Sequence, residues 1–251
     1  LEIVGNARGK VTGVKCARVD EKGRPIPGTE FVIRADLVLI APATAHSLAA
    51  LAHGLADDLL GTLCLATEAP IAVAPAMNRV MGASAATQDN LVRLRERGVH
   101  VFGPGAGDQA CGEVGEGRML EPTELAELAA RFRPRIVHAH HYMFMGIEMF
   151  RHFREFAGSR NVLTLHEYKL ICHNDGQMVK TQTLKPCYES SPAECHACFP
   201  HLASGKFFLR NQMAREYLAA VDAFVSTSHF CTDRHANWGI PREKITTMEN
   251  I

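Results

Sequence analysis

The feature that most constrains this chain is a repeated alternation of short apolar runs with helix-forming stretches. Apolar runs of this length, bounded by Pro, Gly and polar residues, predict buried strands, and amphipathic stretches between them predict helices. In the first block the expected strands are 37–41, 71–74 and 99–102, with helices at 45–60 and 78–97. A helix opened by Pro122 follows and runs to residue 132. This alternation implies a parallel sheet that binds ligands at the carboxyl ends of its strands.

The same alternation begins again after Arg133-Pro134-Arg135. The second block predicts strands at 136–139, 161–165, 223–227 and 244–248, with helices at 143–157, 206–220 and 229–238, and a long irregular stretch at 172–204. The sequence pattern of residues 1–34 predicts a β-hairpin. The expected fold is therefore α/β, with two partial doubly wound (Rossmann-like) parallel-sheet units and an N-terminal β-hairpin. The expected domains are 1–34, 35–132 and 133–251, the last two incomplete.

The composition of the chain excludes several classes of function. The chain has 27 basic residues (Lys plus Arg) and 27 acidic residues (Asp plus Glu). Its net charge is therefore zero, so no overall electrostatic attraction to nucleic acid or to an anionic membrane is expected. The longest apolar runs, 37–45 and 71–77, are far shorter than the ~20 residues of a spanning helix, which predicts no membrane span. Eight cysteines without a secretory signal favour reduced thiols, metal ligands or catalysis, and a cytoplasmic location. Because the chain begins at Leu1 without an initiator methionine, we expect a fragment.

Two stretches in the first block have the composition of a site. Pro75-Ala76-Met77-Asn78 follows an apolar strand, and Gln109-Ala110-Cys111-Gly112-Glu113-Val114-Gly115-Glu116-Gly117-Arg118-Met119 combines glycines with a thiol and a guanidinium. Glycines let backbone fold tightly against a ligand, while Cys and Arg supply a proton donor and an anion partner. Composition alone leaves open a glycine-rich surface loop with a chance cysteine, and Asn78 as an ordinary helix N-cap.

With residues 35–45 and 53–60, these stretches resemble the flavin-dependent phosphopantothenoylcysteine decarboxylases from about 35 to 132. The resemblance implies that FMN oxidises the substrate thiol, so that carbon dioxide can leave and the ene-thiolate is then reduced. It implies Asn78 and Cys111 as catalytic residues and a small-molecule substrate bound by a homo-oligomer. The implied cofactor-binding residues are Pro42, Ala43, Thr44, Ser47 and Met77. The implied substrate-binding residues are Asn78, Ala110, Gly112, Gly117, Arg118 and Met119.

The chain departs from that family at several positions. The family has a catalytic histidine in a His-Ile-x-Leu run shortly before residue 35, whereas the first histidine here is His46. His46 itself replaces a usual asparagine, and Gly82 stands where an aromatic residue follows Met81. The family's first strand and its Gly/Ser-rich phosphate turn are also missing. These departures predict impaired flavin binding and turnover.

The second block resembles the N-terminal domain of retaining nucleotide-sugar glycosyltransferases built from two Rossmann domains. The match covers about 135–251 and rests on four collinear segments, 137–142, 163–168, 221–226 and 238–245. It implies an acceptor-side domain, because those enzymes bind the sugar nucleotide mainly in a second domain. His140, His141, His166 and Glu167 follow predicted strands, where they either line an acceptor cleft or hydrogen-bond to loops.

Four cysteines lie in the long irregular stretch. Cys195 and Cys198 have the C-x-x-C spacing that tetrahedral zinc favours, and Cys172 and Cys187 lie nearby in sequence. Zinc would explain how so long a loop stays ordered. The alternative is a set of reduced thiols in a flexible insert.

Three functional hypotheses follow. The first is FMN-dependent decarboxylation of 4'-phosphopantothenoylcysteine in coenzyme A biosynthesis, by a carboxy-lyase whose catalytic histidine and phosphate-binding segment are missing. The second is transfer of sugar from a nucleotide-sugar donor. The third is a catalytically silent mosaic or fusion relic. The third agrees with the weak resemblance of residues 1–34 to a hairpin of the small-subunit glutamate synthases, which comes without their dinucleotide-binding glycines.

Overall fold

The computed structural model describes residues 2–5, 11–16, 31–33, 36–108, 112 and 114–249. The chain divides into two compact units, Leu1–Pro134 and Arg135–Ile251. Each unit contains a parallel sheet with helices packed on it, which is the α/β, Rossmann-like class that the sequence predicts. No helix in the described part of the chain is both long and apolar enough to cross a membrane.

An antiparallel sheet opens the first unit. Its strands are β1 (Glu2–Gly5), β2 (Val11–Cys16) and β3 (Phe31–Ile33), in the order β1-β2-β3. The sequence predicts pairing of β2 with β3, and the register from Val14–Ile33 to Cys16–Phe31 agrees. The structure adds β1 as an edge strand, so the hairpin is part of a three-stranded sheet.

A parallel three-stranded sheet forms the centre of the first unit. Its strands are β4 (Val38–Ala43), β5 (Ile71–Pro75) and β6 (His100–Val101), in the order β4-β5-β6. The helices are α1 (Ala45–His53), α2 (Leu59–Ala66), α3 (Arg79–Ala83), α4 (Ala85–Glu96) and α5 (Pro122–Ala130). An antiparallel hairpin of β7 (Gly105–Asp108) and β8 (Val114–Arg118) lies between β6 and α5.

Two predicted long helices are each broken by local capping. The helix expected at 45–60 ends at Gly54, which adopts φ 68°, and restarts at Asp58, whose carboxylate accepts from Gly61 N at 2.6 Å. The helix expected at 78–97 divides at Ser84, whose hydroxyl accepts from Thr87 N. Asn78 caps α3, as predicted. Side-chain oxygens that compete for backbone N–H groups therefore set these boundaries.

The core of the first unit lies between the sheet and helices α1 and α4. Val73 on the central strand is fully buried, as are Leu48 of α1 and Leu94 of α4 to within a few per cent. Burial of each side chain of this size stabilises the folded state by roughly 1.5–3 kcal/mol. This packing fixes the positions of the carboxyl ends of β4 and β5.

The second unit is organised around a parallel four-stranded sheet. Its strands are β9 (Ile136–Ala139), β10 (Arg160–Leu165), β11 (Ala223–Ser226) and β12 (Ile245–Thr247), in the order β12-β11-β10-β9. Its helices are α6 (Met149–Ala157), α7 (Pro192–Cys198), α8 (Ser204–Leu218) and α9 (His229–Trp238), with a 3₁₀ turn at Arg242–Lys244.

The structure corrects two predictions in this unit. The helix expected to begin near residue 143 begins at Met149, after Gly146 has adopted φ 74°. The stretch expected to be irregular contains α7, which Ser191 caps by accepting from Glu194 N at 3.2 Å and which Pro192 opens. Both differences come from local effects of Gly146, Ser191 and Pro192 on the backbone. Such effects do not change the hydrophobic periodicity from which helices are predicted.

A buried amide joins the sheet of the second unit to its helices. Asn161 on β10 is fully buried, and its Nδ2 donates to Phe150 O at 2.7 Å and to Ala220 O at 2.9 Å. The backbone N of Asn161 donates to Asp222 Oδ2 at 2.8 Å, and Arg154 donates to the same oxygen at 2.6 Å. One side chain thus bonds to a carbonyl group near the start of α6 and to one just after α8, and Arg154 also donates to the second of these.

His235 makes the stability of the second unit depend on pH. The ring is fully buried, its Nδ1 lies 2.9 Å from Cys231 O, and its Nε2 has no hydrogen-bond partner among the described residues. Burial lowers the pKa of His235, although the Cys231 carbonyl opposes part of that effect. Since the unfolded imidazole titrates near ~6.5, the folded unit holds His235 neutral while the unfolded chain binds a proton below that pH.

We therefore expect His235 to leave the free energy of unfolding unchanged above pH ~6.5 and to lower it below that pH by up to about 1.4 kcal/mol per pH unit, and His138 and His140, whose pKa values are also lowered, act in the same direction. Urea unfolding followed by the fluorescence of Trp238, the single tryptophan, measures this at pH 7.5 and pH 5.5. His235→Gln keeps a donor for the Cys231 carbonyl and should reduce the slope. An equal slope in that variant would assign the pH dependence to other groups.

Candidate functional site

The predicted cofactor and substrate motifs meet at one edge of the first unit. Thr44 follows β4, and Met77 and Asn78 follow β5. Ala43 pairs with Pro75, and Ala76 N donates to Ala43 O at 3.0 Å, so the two strand ends are adjacent. Pro42, Ala43, Thr44, Ser47, Met77 and Asn78 are therefore carried by neighbouring segments of backbone.

Two hydroxyl groups stand at the start of α1. Thr44 Oγ1 accepts from Ser47 N at 3.2 Å and lies 3.0 Å from Ser47 Oγ. Thr44 is exposed, whereas Ala43 before it is completely buried in the sheet. The strand end thus presents a neutral hydroxyl pair beside the positive end of a helix, which suits an uncharged or anionic polar group.

Asn78 has a structural role in addition to any chemical one. Its Oδ1 accepts from Val80 N at 2.7 Å and so caps α3. This bond orients the amide, because it fixes Oδ1 and thereby the direction of Nδ2. A carboxylate is a suitable acceptor for an amide Nδ2, so capping and substrate binding are compatible in this one side chain.

The glycine-rich segment is a hairpin whose β8 strand is attached to the edge that carries Asn78. Met77 N donates to Gly117 O at 2.9 Å, which places β8 against the segment after β5. Gly115 has φ 156°, and a Cβ there would lie 2.6 Å from Cδ of Arg79. Glycine is therefore favoured at 115, since its φ is strained for other residues and a Cβ there would force the Arg79 side chain to move.

The remaining predicted residues fall within positions 110–119 of the sequence. Ala110 and Cys111 lie outside the described residues, so their predicted roles stay predictions. Gly112 is exposed and has φ 83°. Arg118, predicted to bind substrate, forms an ion pair with Glu121, and Met119 after it is half-buried. Arg118 therefore has a carboxylate partner on the protein itself.

Sequence reasoning missed a cavity of about 210 Å³ under the hairpin. Pro75, Met77, Leu91 and Pro104 give it apolar walls. The walls come from four separate segments of the chain, so only the fold brings them together. The one relevant signal in the sequence is Gly82, which also lines this cavity.

Histidine rings stack at the carboxyl ends of β9 and β10 in the second unit. The centroids of His138 and His140 are 4.5 Å apart, and those of His140 and His166 are 5.7 Å apart. His138 Nε2 lies 2.7 Å from Thr164 Oγ1, and His140 Nδ1 lies 3.4 Å from His166 Nε2. Partial burial and the neighbouring rings lower the pKa of His138 to about 4 and also lower that of His140.

The two other strand-end residues named from the sequence bond to the loops that follow them. His141 Nδ1 accepts from Met143 N at 3.1 Å, and the Glu167 carboxylate accepts from Lys169 N in a very short bond. His140, His141, His166 and Glu167 all line one small pocket. The lowered pKa values of His138 and His140 keep these two rings neutral at neutral pH, so each ring has one donor and one acceptor nitrogen.

The structure does not support zinc at Cys172, Cys187, Cys195 and Cys198. Among the described residues no group of three or more His, Cys, Asp and Glu side chains could hold a metal ion. Cys187 Sγ donates to Glu189 O at 3.0 Å, and Cys195 Sγ lies 3.4 Å from Ser190 Oγ. Burial raises the pKa of both thiols, and all four cysteines line one small pocket.

Hydrogen bonds and an ion pair order this stretch without a metal. Ser190 Oγ donates to Ile171 O at 2.7 Å, and Lys180 pairs with Glu194 at 2.6 Å. Val179 and Pro186 form an isolated antiparallel bridge. These bonds give the loop a source of order other than a zinc ion.

Two family models match the chain. The family described as Flavoprotein matches residues 10–133, and the family described as Glycosyltransferase Family 4 matches residues 93–251, more than half of the chain. The chain belongs to Glycosyltransferase Family 4, and it also contains a region similar to the Flavoprotein family. Its Flavoprotein region contains the Thr44–Asn78 edge, and its Glycosyltransferase Family 4 region contains the histidine stack.

Curated relatives match the Flavoprotein region. The "Coenzyme A biosynthesis bifunctional protein CoaBC" of Vibrio vulnificus is 56% identical over 98 residues, which is 39% of this chain and 24% of that protein. The protein of the same name from Escherichia coli is 54% identical over 101 residues, 40% of this chain and 25% of that protein. A "Cysteine/Cysteine sulfinic acid decarboxylase" of an unknown prokaryotic organism is 42% identical over 112 residues, 45% of this chain and 31% of that protein. The chain spans about a quarter of the length of the CoaBC relatives.

Solved structures match the same region. A PPC decarboxylase mutant complexed with pantothenoylaminoethenethiol is 36% identical with a TM-score of 0.38, and the match covers 39% of this chain and 56% of that chain. The FMN binding protein AtHal3 is 32% identical with a TM-score of 0.37, covering 45% of this chain and 64% of that chain.

Proposed function

We propose that the Flavoprotein region binds FMN and decarboxylates a cysteine-derived acid, with 4'-phosphopantothenoylcysteine as its substrate. The sequence identity to CoaBC and to a cysteine decarboxylase supports this reaction class. The observation that carries the proposal is the bond from Met77 N to Gly117 O, because it joins the amide-bearing edge to the hairpin that continues to Cys111.

The donor set at the strand ends fits the ring of a flavin. Thr44 and Ser47 offer uncharged hydroxyls, and a flavin ring presents neutral N–H and C=O groups. FMN, when bound, would supply the two-electron redox chemistry. In the described part of the first unit, no glycine-rich turn between a strand and a helix is available for its phosphate. We therefore assign these residues to the ring and none to the phosphate.

The protein's own residues would bind the substrate and move one proton. Asn78 Nδ2 donates to the substrate carboxylate while Oδ1 stays bonded to Val80 N, so binding does not cost the cap. Cys111 is the proposed donor of the proton that the ene-thiolate carbon takes up after carbon dioxide leaves. An ordinary thiol pKa of ~8.5 makes such a donor effective near neutral pH.

Flavin binding tests this proposal directly. FMN that binds only the folded first unit must stabilise it by about 2.7 kcal/mol at a hundredfold excess over Kd. We expect a rise in the calorimetric melting temperature of that unit on addition of FMN. Because no phosphate turn is assigned, riboflavin should produce nearly the same rise. The control is adenosine monophosphate, which carries a phosphate without the flavin ring and should leave the melting temperature unchanged.

A family 4 glycosyltransferase acceptor domain is the second candidate function. The family match over residues 93–251 and the pocket lined by His140, His166 and Glu167 favour it. The same titration separates the two proposals. If neither FMN nor riboflavin raises the melting temperature at millimolar concentration, the decarboxylase proposal fails and the acceptor domain remains.

A further inference from the structure

We propose that Cys195 and Cys198 form a dithiol that a low-molecular-weight disulfide oxidises reversibly to an intramolecular disulfide. Both residues lie on α7, within the long connection between the parallel strands β10 and β11. A C-x-x-C pair in a strand–helix–strand connection is the sequence pattern of a dithiol redox motif. Cys172 and Cys187 line the same small pocket, and all four are free cysteines. This modification site is independent of both functions proposed above.

Helix geometry brings the two thiols within reach of one another. The residues are three positions apart on α7, which puts their Cα atoms about 5 Å apart. Disulfides join residues whose Cα atoms are roughly 4.4–6.8 Å apart. The Cβ atoms of such helical neighbours are about 1 Å farther apart than a disulfide requires. The bridge therefore needs a small local adjustment of the helix.

The end of α7 is able to make that adjustment. Cys198 is the last residue of the helix, and Phe199 after it leaves the helical conformation with φ −130° and ψ 74°. None of the residues of α7 is buried, so core packing does not oppose a change in its last turn. The disulfide can consequently form while the rest of the second unit keeps its structure.

The contacts of the sulfur atoms favour this pair over others in the pocket. Cys195 is half-buried, and its Sγ lies 3.4 Å from Ser190 Oγ, which is a weak contact for a thiol. Cys187 Sγ donates to Glu189 O at 3.0 Å, so a bridge to Cys187 would lose a shorter bond. Thiolates that share one pocket repel each other, whereas a disulfide carries no charge. Oxidation thus removes two ionisable groups from a crowded pocket at the loss of a weak contact.

The reaction consists of two thiol–disulfide exchanges. The thiolate of one cysteine attacks a sulfur of the small disulfide, which forms a mixed disulfide and releases one small thiolate. The thiolate of the other cysteine attacks the protein sulfur of that mixed disulfide, which forms the Cys195–Cys198 bond and releases the second small thiolate. The protons of the two protein thiols pass to the released thiolates. The protein pair loses two electrons, and these reduce the small disulfide to two thiols.

The test is incubation of the folded full chain with oxidised glutathione. The remaining thiols are alkylated with N-ethylmaleimide in urea, and the chain is cleaved with trypsin and a glutamate-specific protease. Cleavage after Glu194 and Lys206 releases peptide 195–206 without Cys172 or Cys187. We expect this peptide to lose both alkylation marks, to weigh two hydrogen atoms less than the dithiol form, and to regain both marks after dithiothreitol. Retention of both marks, or a bridge from this peptide to Cys172 or Cys187, would overturn the proposal.

Cys198→Ser separates the two exchanges. Because the second thiol is absent, the reaction should stop at the mixed disulfide, and the yield of glutathione adduct on Cys195 should rise at least about tenfold over wild type. If circular dichroism shows that this variant is unfolded, Cys195→Ser replaces it and should accumulate the adduct on Cys198. An adduct yield equal to that of wild type in the folded variant would refute the pair.

Two controls show whether the reaction belongs to this site in the folded chain. Cys187→Ser removes a thiol from the same pocket and keeps the pair, so it should form the bridge as wild type does. Cys64 and Cys231 are only 7% and 3% exposed and should stay reduced throughout. Loss of the bridge in Cys187→Ser, or oxidation of Cys64 and Cys231 in step with the pair, would refute the proposal.

Discussion

Replacing Asn78 by serine is expected to lower the rate of decarboxylation by at least about 10²-fold, the usual cost of removing one well-placed donor from an active site. Serine can still cap α3, because its hydroxyl accepts from a backbone N–H as the Asn78 carbonyl oxygen now does. It cannot reach a carboxylate with an amide N–H. Product formation from 4'-phosphopantothenoylcysteine by FMN-loaded protein measures the loss.

Asn78→Ala is the companion variant that separates the two roles of this side chain. It removes both the cap and the amide, so its rate should fall as far as that of Asn78→Ser. Its free energy of unfolding should also fall by about 1 kcal/mol, which the serine variant avoids. Both variants should still bind FMN. If Asn78→Ser were as active as wild type, Asn78 would be a helix cap and nothing more.

The parallel strands could be read from the sequence because each is a short apolar run with its own boundaries. Val73 and its neighbours are apolar without interruption, which only a strand covered on both faces requires. The positions after such strands, Thr44 and Asn78, follow from that pattern alone. Their adjacency follows as well, since neighbouring parallel strands end at the same edge of a sheet.

Features that depend on contacts between residues far apart in the sequence could not be predicted from these patterns. The hairpin of β7 and β8 has few apolar residues, and its position comes from the bond between Met77 and Gly117 and from the packing of Arg79 under Gly115. The zinc prediction is not supported by the structure, for a related reason. Spacing places Cys195 and Cys198 one helical turn apart, but the bonds of their neighbours decide whether thiols converge on an ion.

Asn161→Leu is expected to reduce the stability of the second unit by roughly 1–3 kcal/mol, since it removes two buried hydrogen bonds, although Ala220 O keeps Arg154 as a donor. Leucine has nearly the same size and is compatible with a strand, so the loss reports the missing hydrogen bonds to Phe150 O and Ala220 O. These bonds hold the residues that precede β11 and a turn of α6 against β10. Their loss should therefore lower the cooperativity of unfolding as well.

Urea unfolding followed by Trp238 fluorescence isolates this effect, because the single tryptophan lies in the second unit. Gln212→Leu on the exposed side of α8 is the matched control and should change the midpoint little, since it also exchanges an amide for leucine but buries nothing. Equal midpoints for Asn161→Leu and Gln212→Leu would mean that the buried amide contributes no net stability. A large loss confined to Asn161→Leu would show that β10 depends on one polar side chain to stay joined to its helices.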